Sequence, residues 1–141
     1  MTETFPYGKR SSYPHMKPGD VAIWERFIDK FPEAYDTVEY DFPLGSPPAF
    51  DTVVNQETQG DALLLYKLKI DVVGHKGDTT DIIEVKPLAG GSALGQVMKY
   101  QDLFIRDFKP SRDPDAVVIT DAVTDDTLHS AEKRGVKIIV V

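Results

Sequence analysis

Residues 69–100 read KIDVVGHKGDTTDIIEVKPLAGGSALGQVMKY. Two runs rich in Ile and Val flank Gly77-Asp78, a dipeptide suited to the centre of a type II′ turn, so the stretch predicts a β-hairpin and then a helix. With Gly77 and Asp78 central, Lys76 pairs with Thr79. The same register carries Asp71 opposite Glu84 and Lys69 opposite Lys86. Cross-strand partners share a face, and so do residues two apart on one strand. Asp71, Glu84, Lys86 and Lys69 are therefore expected on one face, and Ile70, Val72, Ile83 and Val85 on the other. Pro87, which cannot donate to a ladder, is expected to close the second strand. Gly90-Gly91-Ser92 then reads as a turn and N-cap. A helix over 93–108 follows, with Ala93, Val97, Tyr100, Phe104 and Phe108 as its core stripe.

Glu-x-Lys on a strand is by itself an ordinary solvated, alternating face. Here four further features surround it. Asp71 lies in register with Glu84, and two carboxylates at about 5 Å between Cβ atoms repel unless something compensates. A divalent cation does so: magnesium takes oxygen ligands, commonly one or two carboxylates with waters and phosphate oxygens. Apolar Val73 and Ile82 share the face, so it is half-covered. Gln96 and Tyr100, four apart, project from one side of the helix at the edge of its core stripe. The free N–H groups at the start of that helix, after two glycines, suit a phosphate.

Outward from this centre, 18–31 reads as a helix. Pro18 and Asp20 suit its first turn, Val21, Trp24, Phe27, Ile28 and Phe31 recur at helical spacing, and Pro32 ends it. Glu25 falls on the flank of that stripe, where a carboxylate either faces solvent or reaches toward the sheet. A short alternating strand is expected over 36–42, and the prolines and glycines of 43–60 indicate a long loop of the kind that often serves as a lid or binding loop. Residues 116–120 read as a strand buried on both faces, 124–134 as a helix with Gly135 beyond its end, and 136–141 as a last strand. The organisation is an irregular, extended or mobile lead-in over 1–17 and one α/β domain over 18–141. A mixed sheet with helices on both faces is expected.

The 141 residues suffice for one buried core. The chain has no cysteine, which excludes disulfides, thiolate zinc sites and a cysteine nucleophile. No apolar run is long enough to span a bilayer and the first residues lack a signal-peptide pattern, so a cytoplasmic setting is expected. His15, His75 and His129 have no metal-ligand spacing and are expected to be solvated. Lys67, Lys69, Lys76, Lys86 and Lys99 concentrate around the central stretch. They form the local cation patch that a net charge of −7 would otherwise conceal from a nucleic acid.

Asp71, then Glu84-Val85-Lys86, then Gln96-Val-Met-Lys-Tyr100, resembles the PD-(D/E)XK nuclease superfamily, and Gln-x-x-x-Tyr resembles its RecB-like branch. Glu25 on a preceding helix matches the acidic residue that several members carry ahead of the strands. Ile70 stands where the family name has proline, and Leu68 where RecB-like members often have glycine. The resemblance implies a restriction-endonuclease-like core of helix, three strands, helix and strand, here with an added C-terminal helix and strand. It implies a Mg²⁺- or Mn²⁺-dependent nuclease acting on DNA, with RNA left open. Asp71, Glu84 and the Val85 carbonyl would hold the metal, Lys86 would orient the attacking water, and Gln96 and Tyr100 would contact substrate or support the site. Bacteriophages carry small proteins of this kind, which would place it in the host cytoplasm or the virion. The acidic net charge raises an alternative: a DNA-binding or assembly module of the same fold, in a viral particle or DNA-processing complex, without turnover. It also raises the expectation that a second copy or a partner protein delivers the chain to DNA.

Overall fold

The computed structural model describes residues 2–44 and 68–141, and its sheet is organised by the central hairpin. Gly77 supplies the positive φ (+58°) that the first position of the turn requires. From there β3 (Leu68–Lys76) and β4 (Thr79–Ala89) pair from Lys76–Thr79 up to Val72–Ile83, in the register expected from the turn. To one side β2 (Thr37–Leu44) pairs antiparallel with β3, and β1 (Thr4–Pro6) pairs antiparallel with β2. To the other side β5 (Asp115–Val123) and β6 (Lys137–Val140) add in parallel, giving a six-stranded mixed sheet in sequential order β1 to β6.

Helices cover both faces. α1 (Pro18–Lys30) buries Ile23, Trp24, Phe27 and Ile28 against Val38, Tyr40, Val72, Ile83, Val85, Val117 and Ile119. α2 (Gly91–Phe108) and α3 (Asp125–Lys133) share the opposite core with Ile70, Val73, Ile82, Ala116 and Val118. Two successive parallel crossovers advancing in one direction across a sheet, both of the usual hand, place their helices on one face. β5 is consequently covered on both sides, and Ala116 through Ile119 are fully buried. α3 starts from Thr124, whose side chain accepts from Thr127 N–H, and ends before Gly135 in the left-handed region (φ +69°).

Four local expectations are corrected. The lead-in is not wholly irregular: Thr4–Pro6 forms β1, Phe5 packs on Tyr40, Tyr13 is buried, and the Tyr7 hydroxyl donates to the Phe31 carbonyl at 2.7 Å. Neither Pro43 nor Pro87 ends its strand. β2 lacks a β1 partner beyond Glu39 and β4 lacks a β3 partner beyond Ile83, and a strand unpaired on one side tolerates a missing N–H. The cap of α2 is Gly90 without a side-chain bond, and Ser92 lies inside the first turn. Ile70 leaves the face of Val72, Ile83 and Val85 for the opposite core. Asp41 adopts a left-handed φ of +53°, which breaks the alternation of β2. Tyr40 therefore faces α1 while Phe42 packs on the α2 side, and β3 follows through the pairs Tyr40–Val72 and Phe42–Ile70. Of the long loop expected over 43–60, Pro43 and Leu44 continue β2, and the remainder lies outside the described residues.

Gly74 sits under the ring of Tyr35, where an added Cβ would stand 2.7 Å from Cδ1 and Cε1. Tyr35 is pinned in turn, its hydroxyl donating to Asp81 Oδ2 at 2.6 Å, so the ring cannot withdraw freely. Gly74→Ala is expected to lower stability by about 1–3 kcal/mol through overpacking. Urea unfolding checks this as a lower midpoint with an unchanged slope.

Candidate active site

Beyond Val72–Ile83 the β3–β4 ladder stops and the two strands form the arms of a fork. The Asp71 side chain fills the gap, and its Oδ2 accepts from the Val85 N–H at 2.9 Å, a donor the ladder no longer serves. Glu84, 5 % exposed, projects into the same gap, close enough that the Asp71 and Glu84 carboxyl groups act on each other electrostatically. Burial, then the neighbouring Asp71 charge, pushes the Glu84 carboxyl up to about 8, with Lys86 opposing. Asp71 is also raised by burial, against the counter-effect of the Val85 N–H. At neutral pH and without a cation, the pair therefore keeps a proton between its two members.

Lys86 reaches back along β4, its Nζ 3.7 Å from Glu84 Oε1. Tyr100 on α2 is buried, and burial followed by the charges of Glu84 and Asp71 pushes its hydroxyl up to about 12, which keeps it a proton donor toward the acids. Gln96 lies one turn earlier, with its Oε1 buried and without a partner. Glu84 Oε2 is likewise buried and unpartnered. Asp71, Glu84, Lys86 and Tyr100 are thus brought to one place, with Gln96 beside them on the helix.

Glu25 is engaged elsewhere. It accepts from the Tyr13 hydroxyl at 2.8 Å and lines a cleft with Arg10, Ser11, Ser12 and Met16. The α1 acid whose charge acts on both Asp71 and Glu84 is Asp20. Sequence reasoning placed Asp20 only as a first-turn residue. Its available signal was position: three before Ile23 and four before Trp24, it continues the buried stripe, so the helix aims it at the sheet.

The side chains that could hold a cation at the fork offer oxygen only, from the two carboxyl groups. Among the described residues no group of three His, Cys, Asp or Glu side chains converges on a metal position. Two carboxyl groups that must share a proton, one with a buried unpartnered oxygen, nevertheless fit a hard divalent ion that completes its shell with water and substrate. The cation patch is dispersed. Lys76, at the turn end of the hairpin, is 3.7 Å from Asp36 Oδ1 and donates to the Glu33 carbonyl, whereas Lys69 and Lys86 lie at the fork. Lys67 lies outside the described residues. His75 is not simply solvated: its ring joins Glu39 Oε2 at 2.8 Å and Thr80 Oγ1 at 3.2 Å.

No family model matches the sequence, and no curated protein sequence matches it. Two solved structures share the architecture. A repair endonuclease from Pyrococcus abyssi superimposes with a TM-score of 0.52 at 14 % identity, over 93 % of this chain and 49 % of that one. EndoMS in complex with double-stranded DNA superimposes with a TM-score of 0.52 at 15 % identity, over 95 % of this chain and 48 % of that one. The fold is restriction-endonuclease-like. The chain spans about half the length of each structure it matches. In this restriction-endonuclease-like sheet the acids occupy the fork between the second and third strands of the core, the place where paired backbone gives way to side chains. No helix among the described residues is long and apolar enough to cross a membrane.

The raised Glu84 carboxyl gives a stability prediction. Its folded-state pKa of about 8 lies above the ordinary value of 4.5, so the folded protein binds the proton more tightly than the unfolded chain. Stability of the metal-free protein is expected to fall as pH rises from 4.5 through about 8. Glu84→Gln, neutral throughout, should flatten that slope in denaturant titrations run across the interval.

Proposed function

We propose that this chain is a metal-dependent nuclease that hydrolyses phosphodiester bonds in DNA. The observation that carries the reading is the meeting of Asp71 and Glu84 at the fork, with Asp71 bound to the Val85 N–H, Lys86 Nζ 3.7 Å from Glu84 Oε1, and Glu84 Oε2 buried without a partner. The fold shared with a repair endonuclease, and with an endonuclease bound to double-stranded DNA, supports it. Asp71, Glu84 and the Val85 carbonyl would hold Mg²⁺ or Mn²⁺, and Asp20 adds negative charge from α1. The chemistry a bound divalent ion supplies is stabilisation of charge on the phosphoryl oxygens and acidification of water.

The chain's own groups do the rest. Lys86 orients the attacking water and offsets charge building on the phosphate. Tyr100 keeps its proton beside the acids, and Gln96 presents its amide on the same helix face. Water adds to phosphorus, the bond from phosphorus to one sugar oxygen breaks, and that oxygen takes up a proton as the water loses one. The Gln96 and Tyr100 pair supports assignment to the RecB-like branch. A second reading, a DNA-binding or assembly module without turnover, is favoured by one observation: Lys69, Lys76 and Lys86 each face a carboxylate.

Incubation of supercoiled and linear DNA with Mg²⁺ or Mn²⁺ decides between them. Cleavage by the wild-type chain, lowered at least about 10²-fold in Lys86→Ala and in Glu84→Gln, is the expected result. Intact DNA, or cutting that survives both substitutions, overturns the nuclease reading.

A further inference from the structure

The arm of the fork formed by β3 carries a second cluster. Lys69 Nζ lies 3.0 Å from Asp41 Oδ2, and His15 Nε2 lies 3.5 Å from the same oxygen. The register of β2 on β3 places Asp41 beside Asp71, between the pairs Tyr40–Val72 and Phe42–Ile70. Lys69 is two residues beyond Asp71, as Lys86 is two beyond Glu84, so one lysine stands on each arm. Three non-glycine residues among those described have positive φ, and two of them are His15 (+54°) and Asp41 (+53°), which touch each other here. Asp and His tolerate that conformation better than most side chains, yet it still costs energy, and two such residues in contact mark a place held in shape by its surroundings.

The arrangement has donors to spare. Asp41 is largely covered, with 18 % of its side chain exposed, whereas Lys69 is 46 % and His15 76 % exposed. An ammonium has three N–H donors, and the bond to Asp41 uses one of them. The carboxylate thus fixes the direction of the two side chains while their outer edges face water. A structural ion pair would serve equally well with the lysine lying flat on the strand. It would not call for an imidazole on a strained backbone on the other side of the same oxygen.

We propose that Lys69 and His15, steered by Asp41, form a clamp for a backbone phosphate of the nucleic-acid strand, adjacent to the phosphate that is cut. They are positioning residues, set on the opposite arm from Lys86, and the clamp rests on the nuclease reading for the identity of its ligand. It also answers how an acidic chain engages a polyanion: the cations at the fork are few, but they flank the acids and are oriented by them.

The test is binding of a short fluorescein-labelled DNA duplex, followed by anisotropy in EDTA over a series of salt concentrations, alongside steady-state cleavage in Mg²⁺. Lys69→Ala is expected to weaken binding roughly tenfold and to reduce the slope of log affinity against log salt by about 1. It should raise KM with kcat little changed. Lys69→Arg should restore the slope, and His15→Ala should weaken binding to a smaller extent. The double variant Lys69→Ala, Asp41→Asn, which leaves no orphaned charge, should show the same loss of slope. Lys76→Ala, at the far end of the hairpin, should behave as wild type. Binding and salt slope unchanged in Lys69→Ala, or a fall in kcat with KM intact, overturns the clamp, and the nuclease reading stands if the wild type still cuts. Binding that depends on Lys69 without any cleavage supports the clamp and removes the turnover. A wild-type chain that binds no DNA overturns both.

Discussion

Asp71 Oδ2 accepts the backbone N–H of Val85, and the rest of the site follows from that bond. A strand pair that separates leaves donors and acceptors unserved, and a buried N–H without a partner is costly. Here a side chain supplies the acceptor, so the strands can part inside the protein without exposing the core. The parting makes room for a buried Glu84, and placing Glu84 there forces two carboxyl groups together. The repulsion between them is the property a divalent ion would relieve. Folding stability and the juxtaposition of two buried acids are opposed at this point, as is common where charge is buried.

Asp41 has a comparable effect one strand away. Its left-handed backbone turns β2 over, so that Tyr40 serves the α1 core and Phe42 the α2 core. Without that reversal Phe42 would face the α1 side and leave its contacts with Phe104 and Phe108. The turnover of the strand and the opening of the fork occur at neighbouring positions, Asp41 and Asp71, and both concern the same end of the sheet.

The hairpin register was legible because Gly77-Asp78 admits a two-residue turn and the alternation on both sides agrees with it. The helices were legible from spacing, and β5 from an apolar run too short for a helix. The face of Ile70 was not legible, since nothing in the residue string near Asp41 announces a positive φ. Proline misled at positions 43 and 87 because tolerance depends on whether a neighbouring strand is present, a tertiary fact. Within the candidate site, the proximity of Asp71, Glu84 and Lys86 was legible from the hairpin register, and the shared side of Gln96 and Tyr100 from their helical spacing. Asp20 was hidden because polar residues in a first helical turn have an ordinary explanation; Glu25 drew notice from its place on the flank of the stripe and from the family resemblance, while its partner, Tyr13, lies in a segment with no periodicity to place it.

The side chain of Thr120 sits between the Pro87 and Ala122 carbonyls, at 3.2 and 2.9 Å, and so ties the outer part of β4 to β5. The matching part of β3 is tied instead to β2, through Phe42–Ile70, Pro43–Lys69 and Leu44–Leu68. The two acids therefore ride on different halves of the sheet, whose shared ladder ends at Val72–Ile83 and beyond which Asp71 bridges to the Val85 N–H. A rotation of β2 and β3 against β4 and β5 would change the distance between the two carboxyl groups, since one rides on each pair of strands.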